Sequence, residues 1–347
     1  MYHQISQKAV FFIENVTQKM PWQLGASAYE IWIFEIIMQQ TRLEQGFPYY
    51  KRFLERFKDI KTLAKSDIDS VYEVWKGLGY YSRARNIHET AKIVLNNYNG
   101  IFPDAYDEII KLKGIGSYTA AAISSFAFQK DIAVLDGNVY RLLSRLTASS
   151  IDMFSNAGKK YYENLAQQFM LPHQGALINQ AFMHIGSNIC KPKNPDCLNC
   201  PFNNECKAFQ TESIENFPVP KKRNPLKPRF FYCVLFIYQD KIALYKRTQK
   251  DIWEGMYQGA VIENELFDLY EFKRQFNEFN FDSISFEDDW QIQKLSHIKA
   301  HFKFAIVKLN QKPKKMNSFH KISEIEKMAF PKIISNYLNQ QMNRIIY

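Results

Sequence analysis

The sequence predicts two domains, a mostly helical N-terminal domain and an α+β C-terminal domain. Apolar residues recur at helical spacing through the first 189 or so residues, whereas continuous β-type runs dominate after Arg229. A proline-rich basic stretch, Phe217 to Pro228, separates these two parts. The predicted organisation is therefore a helical domain over 1–210, an extended linker over 211–228 and a second domain over 229–347.

The helical prediction rests on apolar periodicity, with connections that are mostly short and contain Pro, Gly or Asn. The predicted helices lie near residues 5–19, 29–42, 67–76, 84–97, 117–128, 138–147, 157–169 and 175–189. In the second domain, the pattern predicts strands at 231–238, 241–246, 289–295 and 301–309, and one helix near 266–276.

Composition narrows the class of partner. The chain of 347 residues carries a formal net charge of +10, which favours polyanions because lysine and arginine displace counterions from phosphates. No apolar run approaches the roughly 20 residues that span a bilayer. The N-terminus lacks a basic segment followed by a long apolar stretch, so no secretory signal is expected. We therefore expect a soluble cytoplasmic protein without a membrane partner.

Cysteines are concentrated in one short loop. Of the five cysteines, four lie within 17 residues, at Cys190, Cys197, Cys200 and Cys206, with the spacing Cys-x6-Cys-x2-Cys-x5-Cys. Four thiolates on one loop can close around a single soft metal centre. Structural zinc usually takes two Cys-x2-Cys pairs, and only one is present here, while four thiolates also suit a [4Fe–4S] cluster. The chemistry of the residues leaves both metals open.

A Gly-x-Gly turn lies between two helical segments. Gly114 and Gly116 permit a tight turn, and the next helix is expected to begin near Ser117. The free N–H groups of a helix start attract phosphate. An ordinary helix–helix turn is the alternative for an isolated Gly-x-Gly.

Two carboxylates are candidates for acid–base chemistry. Glu35 lies among apolar residues of one helical segment, where desolvation would raise its pKa and keep it protonated near neutral pH. Asp136 follows an apolar run and opens a helix, so it is also a candidate N-cap. Breaking an N-glycosidic bond requires a proton for the departing base and an anion beside the sugar cation, which such a pair supplies.

Several motifs occur in the order typical of one family. They are Met20 to Gln23, Glu35 to Thr41, Gly77 to Asn86, Asp136 to Asn138, and the cysteine loop. Together they resemble the adenine DNA glycosylase (MutY) family of the helix-hairpin-helix and endonuclease III superfamily. The resemblance implies a helix-hairpin-helix glycosylase domain with one [4Fe–4S] cluster held by the four cysteines. It also implies a monomer of the bacterial cytosol that binds double-stranded DNA containing adenine opposite 8-oxoguanine or guanine.

The resemblance also assigns roles to residues. Glu35 would protonate a flipped adenine, Asp136 would stabilise the sugar cation, and Asn138 and Tyr118 would support them. Tyr118 stands where bifunctional endonuclease III enzymes carry a lysine, so a monofunctional glycosylase is expected. The family usually has Pro at the position of Lys113. The residues implied in DNA or substrate binding are Trp22, Gln23, Gln40, Tyr80, Gly114, Gly116 and Gln180, with Gln40 and Tyr80 inserted into the base stack.

The C-terminal half resembles the Nudix-like domain that reads 8-oxoguanine in this family. The resemblance rests on Trp253 to Tyr257 and on Leu295 to His297, and it implies that Ser296 and His297 contact the oxidised base. The family more often has Phe at Leu295 and Phe-Pro at Gly259-Ala260. The sequence lacks the acidic helix that holds magnesium in Nudix hydrolases, so diphosphate hydrolysis is not expected.

Two other functions are compatible with parts of the pattern. One is a bifunctional glycosylase and lyase for oxidised pyrimidines, which Glu35, Tyr118 and the second domain disfavour. The other is a non-catalytic DNA-binding paralogue, which has no need of the pair Glu35 and Asp136.

Overall fold

The chain forms two compact units in a computed structural model. The structure describes residues 1–16, 25–220, 225–281, 283–295 and 297–346, with only the backbone at Lys327 and at 342–346. The first unit comprises residues 1–65 and 86–223, and the second comprises 66–85 and 224–347.

The first unit is helical, as the periodicity predicts. The helices in chain order are α1 (Tyr2–Glu14), α2 (Ala28–Met38), α3 (Leu43–Arg56), α4 (Ile60–Lys65), α5 (Ile68–Trp75), α6 (Tyr81–Asn97), α7 (Tyr106–Ile109), α8 (Ser117–Phe126), α9 (Gly137–Thr147), α10 (Asn156–Gln167), α11 (Gly175–His184) and α12 (Lys207–Gln210). Of these, α5 and the start of α6 belong to the second unit. None of the described helices is both long and apolar enough to cross a membrane.

Several short or interrupted helices were not predicted. The pattern of α3 is broken by Pro48 and by Gly46, yet the helix forms and buries Phe53 completely. Helices α7 and α12 each span only 4 residues, which is too short for a helical spacing of apolar residues to be recognised in the sequence. At the other end of the unit, α11 continues into a π-helical turn, Ile185–Ile189, that leads to the first cysteine.

The core of the first unit joins its N-terminal helix to its last ones. Residues of α1, α9, α10 and α11 form one apolar cluster that reaches Cys190 and Phe202 of the cysteine loop. The buried Ser6 hydroxyl of α1 donates to the carbonyl of Phe169 at 2.7 Å, so a polar group inside this cluster is satisfied. Lys8 of α1 forms an ion pair with Glu205 at 2.7 Å. The cysteine loop is therefore attached to the helical core.

The second unit contains a mixed sheet. Its strands are β1 (Lys227–Tyr238), β2 (Lys241–Ala243), β3 (Tyr245–Lys246), β4 (Tyr257–Gln258), β5 (Ala260–Glu263), β6 (Gln291–Lys294), β7 (Ile298–Lys308) and β8 (Phe319–Lys321). The main sheet has the order β6-β7-β1-β2-β8, with β5 also paired to β1, while β3 and β4 form a separate pair. Strands β1 and β7 are parallel and the other pairs are antiparallel. The helices are α13 (Leu269–Gln275) and α14 (Lys332–Ile346).

Alternation along β1 divides the core of this unit between the two faces of the sheet. Cys233 and Leu235 belong to a cluster that includes residues of α14, and Val234 and Phe236 belong to another that includes residues of α13. The predicted strands at 231–238, 289–295 and 301–309 overlap β1, β6 and β7 of this sheet, and the one at 241–246 is divided between β2 and β3 of the separate pair. Strands β4, β5 and β8 and helix α14 were not predicted. The α+β prediction for this half of the chain agrees with the sheet.

The structure explains why small residues stand at positions 259 and 260. A Cβ on Gly259 would lie 2.6 Å from the carbonyl oxygen of Val234 and 3.1 Å from Cys233 Sγ, so only glycine fits against β1. Ala260 is fully buried and pairs with Val234 in the β1–β5 ladder. The small residues at these two positions therefore allow close packing of β5 on the central strand.

We predict that Gly259→Ala destabilises the protein by about 1–3 kcal/mol, because the added methyl group meets backbone atoms that cannot rotate away. Gly137→Ala is the matched control, since a Cβ there meets nothing within 4 Å. Thermal unfolding followed by circular dichroism should show a lower midpoint for Gly259→Ala only. Equal midpoints for the two variants would show that β1 and β5 are not packed this closely.

Candidate active site

Glu35 is a buried acid. It lies on α2, whose residues Tyr29 to Ile37 are nearly all buried, and its own side chain is 3% exposed. Its Oε1 atom has no hydrogen-bond partner among the described residues. Burial raises the pKa of Glu35 to about 7; a hydrogen bond with Tyr118 opposes this shift and the nearby charge of Asp136 adds to it. Glu35 is therefore substantially protonated at neutral pH.

Asp136 caps helix α9. Its Oδ1 accepts from the backbone N–H groups of Val139 at 2.7 Å and Asn138 at 2.9 Å, and its Oδ2 accepts from the Asn138 amide at 2.7 Å. The carboxylate therefore lies at the positive end of the helix dipole, where a negative charge is favoured. The predicted N-cap is present, and it fixes both carboxylate oxygens.

Tyr118 lies close to both acids. Burial raises the pKa of Tyr118 well above its usual value, and the charges of Glu35 and Asp136 raise it further. The phenol therefore remains neutral and can donate to Glu35. The structure brings Glu35, Tyr118, Asp136 and Asn138 into one cluster, with Glu35 and Asp136 contributed by different helices.

Arg141 extends this cluster to the cysteine loop, a connection that the sequence reasoning missed. Its Nη2 donates to the side-chain oxygen of Asn138 at 3.0 Å and to the carbonyl of Gly186 at 2.6 Å. Its Nε donates to the carbonyl of Cys190 at 2.8 Å. The sequence does indicate a contact between Arg141 and Asn138, because Arg141 lies one helical turn after Asn138 and therefore on the same side of α9.

Asn179 fixes the backbone that leads to Asp136, and it too was missed. Its side-chain oxygen accepts from the N–H of Val134 at 2.9 Å, and its amide donates to the carbonyl of Ile132 at 2.8 Å and to Ser125 Oγ at 2.9 Å. Asn179 is buried, so these bonds are shielded from water. The approach of the chain to Asp136 is thereby held in place.

The Gly-x-Gly turn leads directly into α8. Gly114 has φ +79°, and a Cβ there would lie 2.6 Å from Asn86 Cβ, so this position requires glycine. Gly116 is different, because it is an extended N-cap at which a Cβ meets nothing within 4 Å. It forms no side-chain cap, so the first N–H groups of α8 are open to an anion. Lys113 forms an ion pair with Glu89, so its charge is partly compensated.

The four loop cysteines line one pocket together with Arg145 and the apolar side chains Leu142, Leu146, Phe202 and Phe209. Arg145 donates to the carbonyl of Lys191 at 2.8 Å and lies 3.4 Å from Cys190 Sγ. No three His, Cys, Asp or Glu side chains of the described residues converge on a position for a single metal ion. A pocket lined by four thiols beside an arginine has the donor chemistry of a soft metal centre.

Comparison with known proteins identifies the family. The model of the HhH-GPD superfamily of base excision DNA repair proteins matches residues 33–167. An adenine DNA glycosylase of Buchnera aphidicola subsp. Baizongia pistaciae is 40% identical over 243 residues, covering 69% of this chain and 68% of that protein. An adenine DNA glycosylase of the Buchnera aphidicola subspecies from Acyrthosiphon pisum is 33% identical over 334 residues, covering 95% of this chain and 91% of that protein.

The chain belongs to the adenine DNA glycosylase family. The solved structure of a thermostable thymine-DNA glycosylase matches with a TM-score of 0.56 at 26% identity, covering 60% of this chain and 97% of that one. The helix-hairpin-helix glycosylase fold predicted for the N-terminal part is thus confirmed, and the protein is a DNA glycosylase of base excision repair.

The second unit of this glycosylase contains a large cavity. Its volume is about 1280 Å³, and its lining includes Tyr80, Trp253, Leu295 and His297. Tyr80 is 49% exposed and has φ +50°, a backbone conformation that is uncommon for residues other than glycine. The structure therefore places Tyr80 and His297, which are far apart in the sequence, at one cavity.

Two of the remaining predicted residues of the glycosylase lie within the described part of the chain. Gln40 is exposed directly after α2 with φ +58°, and Gln180 is half-buried on α11. Trp22, Gln23 and Ser296 lie outside the described residues, so their predicted roles stay predictions.

We predict that Glu35→Gln gains stability relative to the wild type as the pH rises. Below pH 4.5 the acid is protonated in both the folded and unfolded chains, but above it only the unfolded chain ionises until the pH passes about 7. The raised pKa therefore costs the wild type about 3 kcal/mol by pH 8, and glutamine does not titrate.

Urea unfolding of both proteins at pH 5 and pH 8 measures this difference, with the exposed Glu55→Gln as the control for removing one charge. A difference between wild type and Glu35→Gln that does not change with pH would mean that Glu35 is ionised in the folded protein.

Proposed function

We propose that this glycosylase hydrolyses the N-glycosidic bond of adenine paired with 8-oxoguanine or guanine in double-stranded DNA. The observation that carries the proposal is the pairing of a neutral buried acid, Glu35, with the capped carboxylate of Asp136. The relatives named adenine DNA glycosylase support adenine as the base.

The two groups fit the two charges that develop in this reaction. Glu35 donates its proton to a ring nitrogen of adenine, and the base departs with the electron pair of the C–N bond. The positive charge that forms on the sugar is stabilised by the Asp136 carboxylate, whose geometry is fixed in advance by three N–H donors. A water oxygen then adds to the sugar carbon, and the proton it loses restores Glu35.

Tyr118 favours a monofunctional enzyme. A strand-cutting lyase forms a Schiff base between an amine and the sugar, and a phenol cannot do so. The raised pKa of Tyr118 keeps it a hydrogen-bond donor to Glu35. We therefore propose base release without efficient strand cleavage, which disfavours the bifunctional alternative.

The cavity of the second unit is proposed to read the base opposite adenine. Tyr80 and His297 line it, and both can stack on or hydrogen-bond to an oxidised purine. Asp251 at the cavity is bound by Arg229 at 2.7 Å and by Arg247 at 2.9 Å. Because this carboxylate is neutralised by two arginines, it is a poor ligand for magnesium, and we propose base recognition by a Nudix-like domain in place of metal-dependent hydrolysis of diphosphates.

One [4Fe–4S] cluster is proposed to be held by Cys190, Cys197, Cys200 and Cys206. The support is the pocket that the four cysteines line beside Arg145, because four thiolates on one loop suit such a cluster. The cluster would supply structural cohesion to the loop whose carbonyls accept from Arg141 and Arg145. DNA is proposed to bind through the phosphate site at Gly114 and Gly116, with Gln40 and Tyr80 filling the gap left by the flipped base and with Trp22, Gln23 and Gln180 near it.

Single-turnover excision on duplexes with adenine opposite 8-oxoguanine, adenine opposite guanine, and thymine glycol tests the proposal. We expect release of adenine from the first two, without strand cleavage until alkali is added and without trapping by borohydride. Glu35→Gln should lower the rate at least a hundredfold, because general acid catalysis contributes about 10²–10⁴-fold, while duplex affinity is retained. Release of thymine glycol with trapping would instead indicate the bifunctional enzyme.

The recognition of the opposite base is measured in the same assay. His297→Ala should reduce the preference for 8-oxoguanine over guanine, whereas His320→Ala, at a histidine of β8 that is not part of the cavity lining, should leave the ratio unchanged. An unchanged ratio in His297→Ala would assign the reading of that base to other residues.

A further inference from the structure

One face of the sheet in the second unit carries a patch of lysines. In the ladders among β6, β7 and β1, side chains of paired residues share a face. One row across the strands is therefore Lys294, Lys299 and Pro228, and the next is Ile292, His301 and Phe230. Lys303 and Tyr232 form a third row. We call this surface, centred on Lys299, His301 and Lys303, the lysine face.

The core of the unit covers only one end of the lysine face. Tyr232 in the third row is buried and packs against Phe267 and Phe286, whereas Lys294 is exposed and Lys299, His301 and Lys303 are half-buried. Ile292 at its edge is 49% exposed. One of the cations contacts an aromatic ring, because Lys303 lies 5.5 Å above the ring of Trp290. The Phe230 and His301 rings beside it are 4.8 Å apart.

The charges of the lysine face are not compensated within the sheet. Lys294 and Lys299 are direct partners across β6 and β7, an arrangement of like charges that destabilises a sheet. Among the described residues, no salt bridge joins Lys294, Lys299 or Lys303 to a carboxylate. The exposed acids Asp288 and Asp289 lie in the bend before β6, outside the strands. Two uncompensated cations on one strand, about 13 Å apart, can contact two separate phosphates.

The lysine face lies on the opposite side of the sheet from the large cavity. Phe231 and Phe302 alternate with the residues of the lysine face and belong to the cluster that includes Trp253 and Leu295 of the cavity lining. Only Lys294, on the edge strand, borders both. A DNA segment seated at the cavity therefore does not occupy the lysine face.

We propose that the lysine face binds the phosphate backbone of a second DNA segment while the first is bound at the lesion-reading surface. The occupant follows from charge complementarity on a protein of net charge +10 that acts on DNA. The proposal rests on the proposed function only in taking DNA as the ligand. Holding two segments lets the enzyme pass directly from one duplex to another as it searches for damage, without a free intermediate.

Dissociation of the full-length protein from a labelled, undamaged 30-base-pair duplex, chased with unlabelled duplex, tests the proposal. We expect the wild-type dissociation rate to rise with competitor concentration, as direct transfer requires, and the rate of Lys299→Gln/Lys303→Gln to be independent of it. For binding of the second duplex, the slope of log K against log salt should also be less steep by about 2 for the variant, close to 0.9 for each lost phosphate contact.

Lys312→Gln/Lys315→Gln removes the same charge from an exposed loop outside the sheet and should behave like the wild type. The proposal would be overturned if the dissociation rate of Lys299→Gln/Lys303→Gln still rose with competitor concentration. It would also be overturned if the control variant lost this dependence to the same extent. Single-turnover excision at saturating enzyme should be the same for both double variants. Failure of adenine excision in all proteins would count against the proposed function and not against the lysine face.

Discussion

The burial of one carboxyl group is the constraint on which the active site depends. Glu35 lies on a helix that is apolar on nearly every side, so it is removed from water although its Oε1 atom has no partner among the described residues. This placement costs stability, because the folded chain must keep the acid protonated at a pH where it would otherwise ionise. The cost is offset by the packing of the same helix, whose start is fixed by a capping box between Ser27 and Glu30.

Asp136, the other carboxyl group of the site, has hydrogen-bond donors at both of its oxygens, unlike Glu35. Asp136 is held by three N–H donors and by a helix start, so it does not need to move when a positive charge develops beside it. The side-chain oxygen of Asn138 accepts a hydrogen bond from Arg141, and Arg141 also donates to the carbonyls of Gly186 and Cys190. These bonds connect Asp136 to the cysteine loop. The cysteine loop, which contains no residue of the acid–base cluster, is therefore part of what fixes the Asp136 carboxylate.

The sequence was most informative where a local pattern determines the outcome. The apolar neighbours of Glu35 were sufficient to predict its raised pKa, and the position of Asp136 before a helix was sufficient to predict the cap. The roles of Arg141 and Asn179 were not predicted, because their partners are carbonyl and N–H groups that only the fold brings near. Gly116 was expected to be a turn glycine, but the left-handed conformation is confined to Gly114. The need for glycine at position 259 was likewise not predictable from the sequence, because it arises from the nearby carbonyl of Val234, which a Cβ would meet.

The pH dependence of the single-turnover rate of adenine release tests the central claim most directly. If Glu35 must be protonated to act, the rate constant should be high at pH 6 and should fall about tenfold per pH unit once the pH exceeds about 7. Measurement at saturating enzyme separates this loss from any weakening of DNA binding. A rate constant that is flat or that rises between pH 6 and pH 9 would contradict the assignment of Glu35 as a buried, neutral acid.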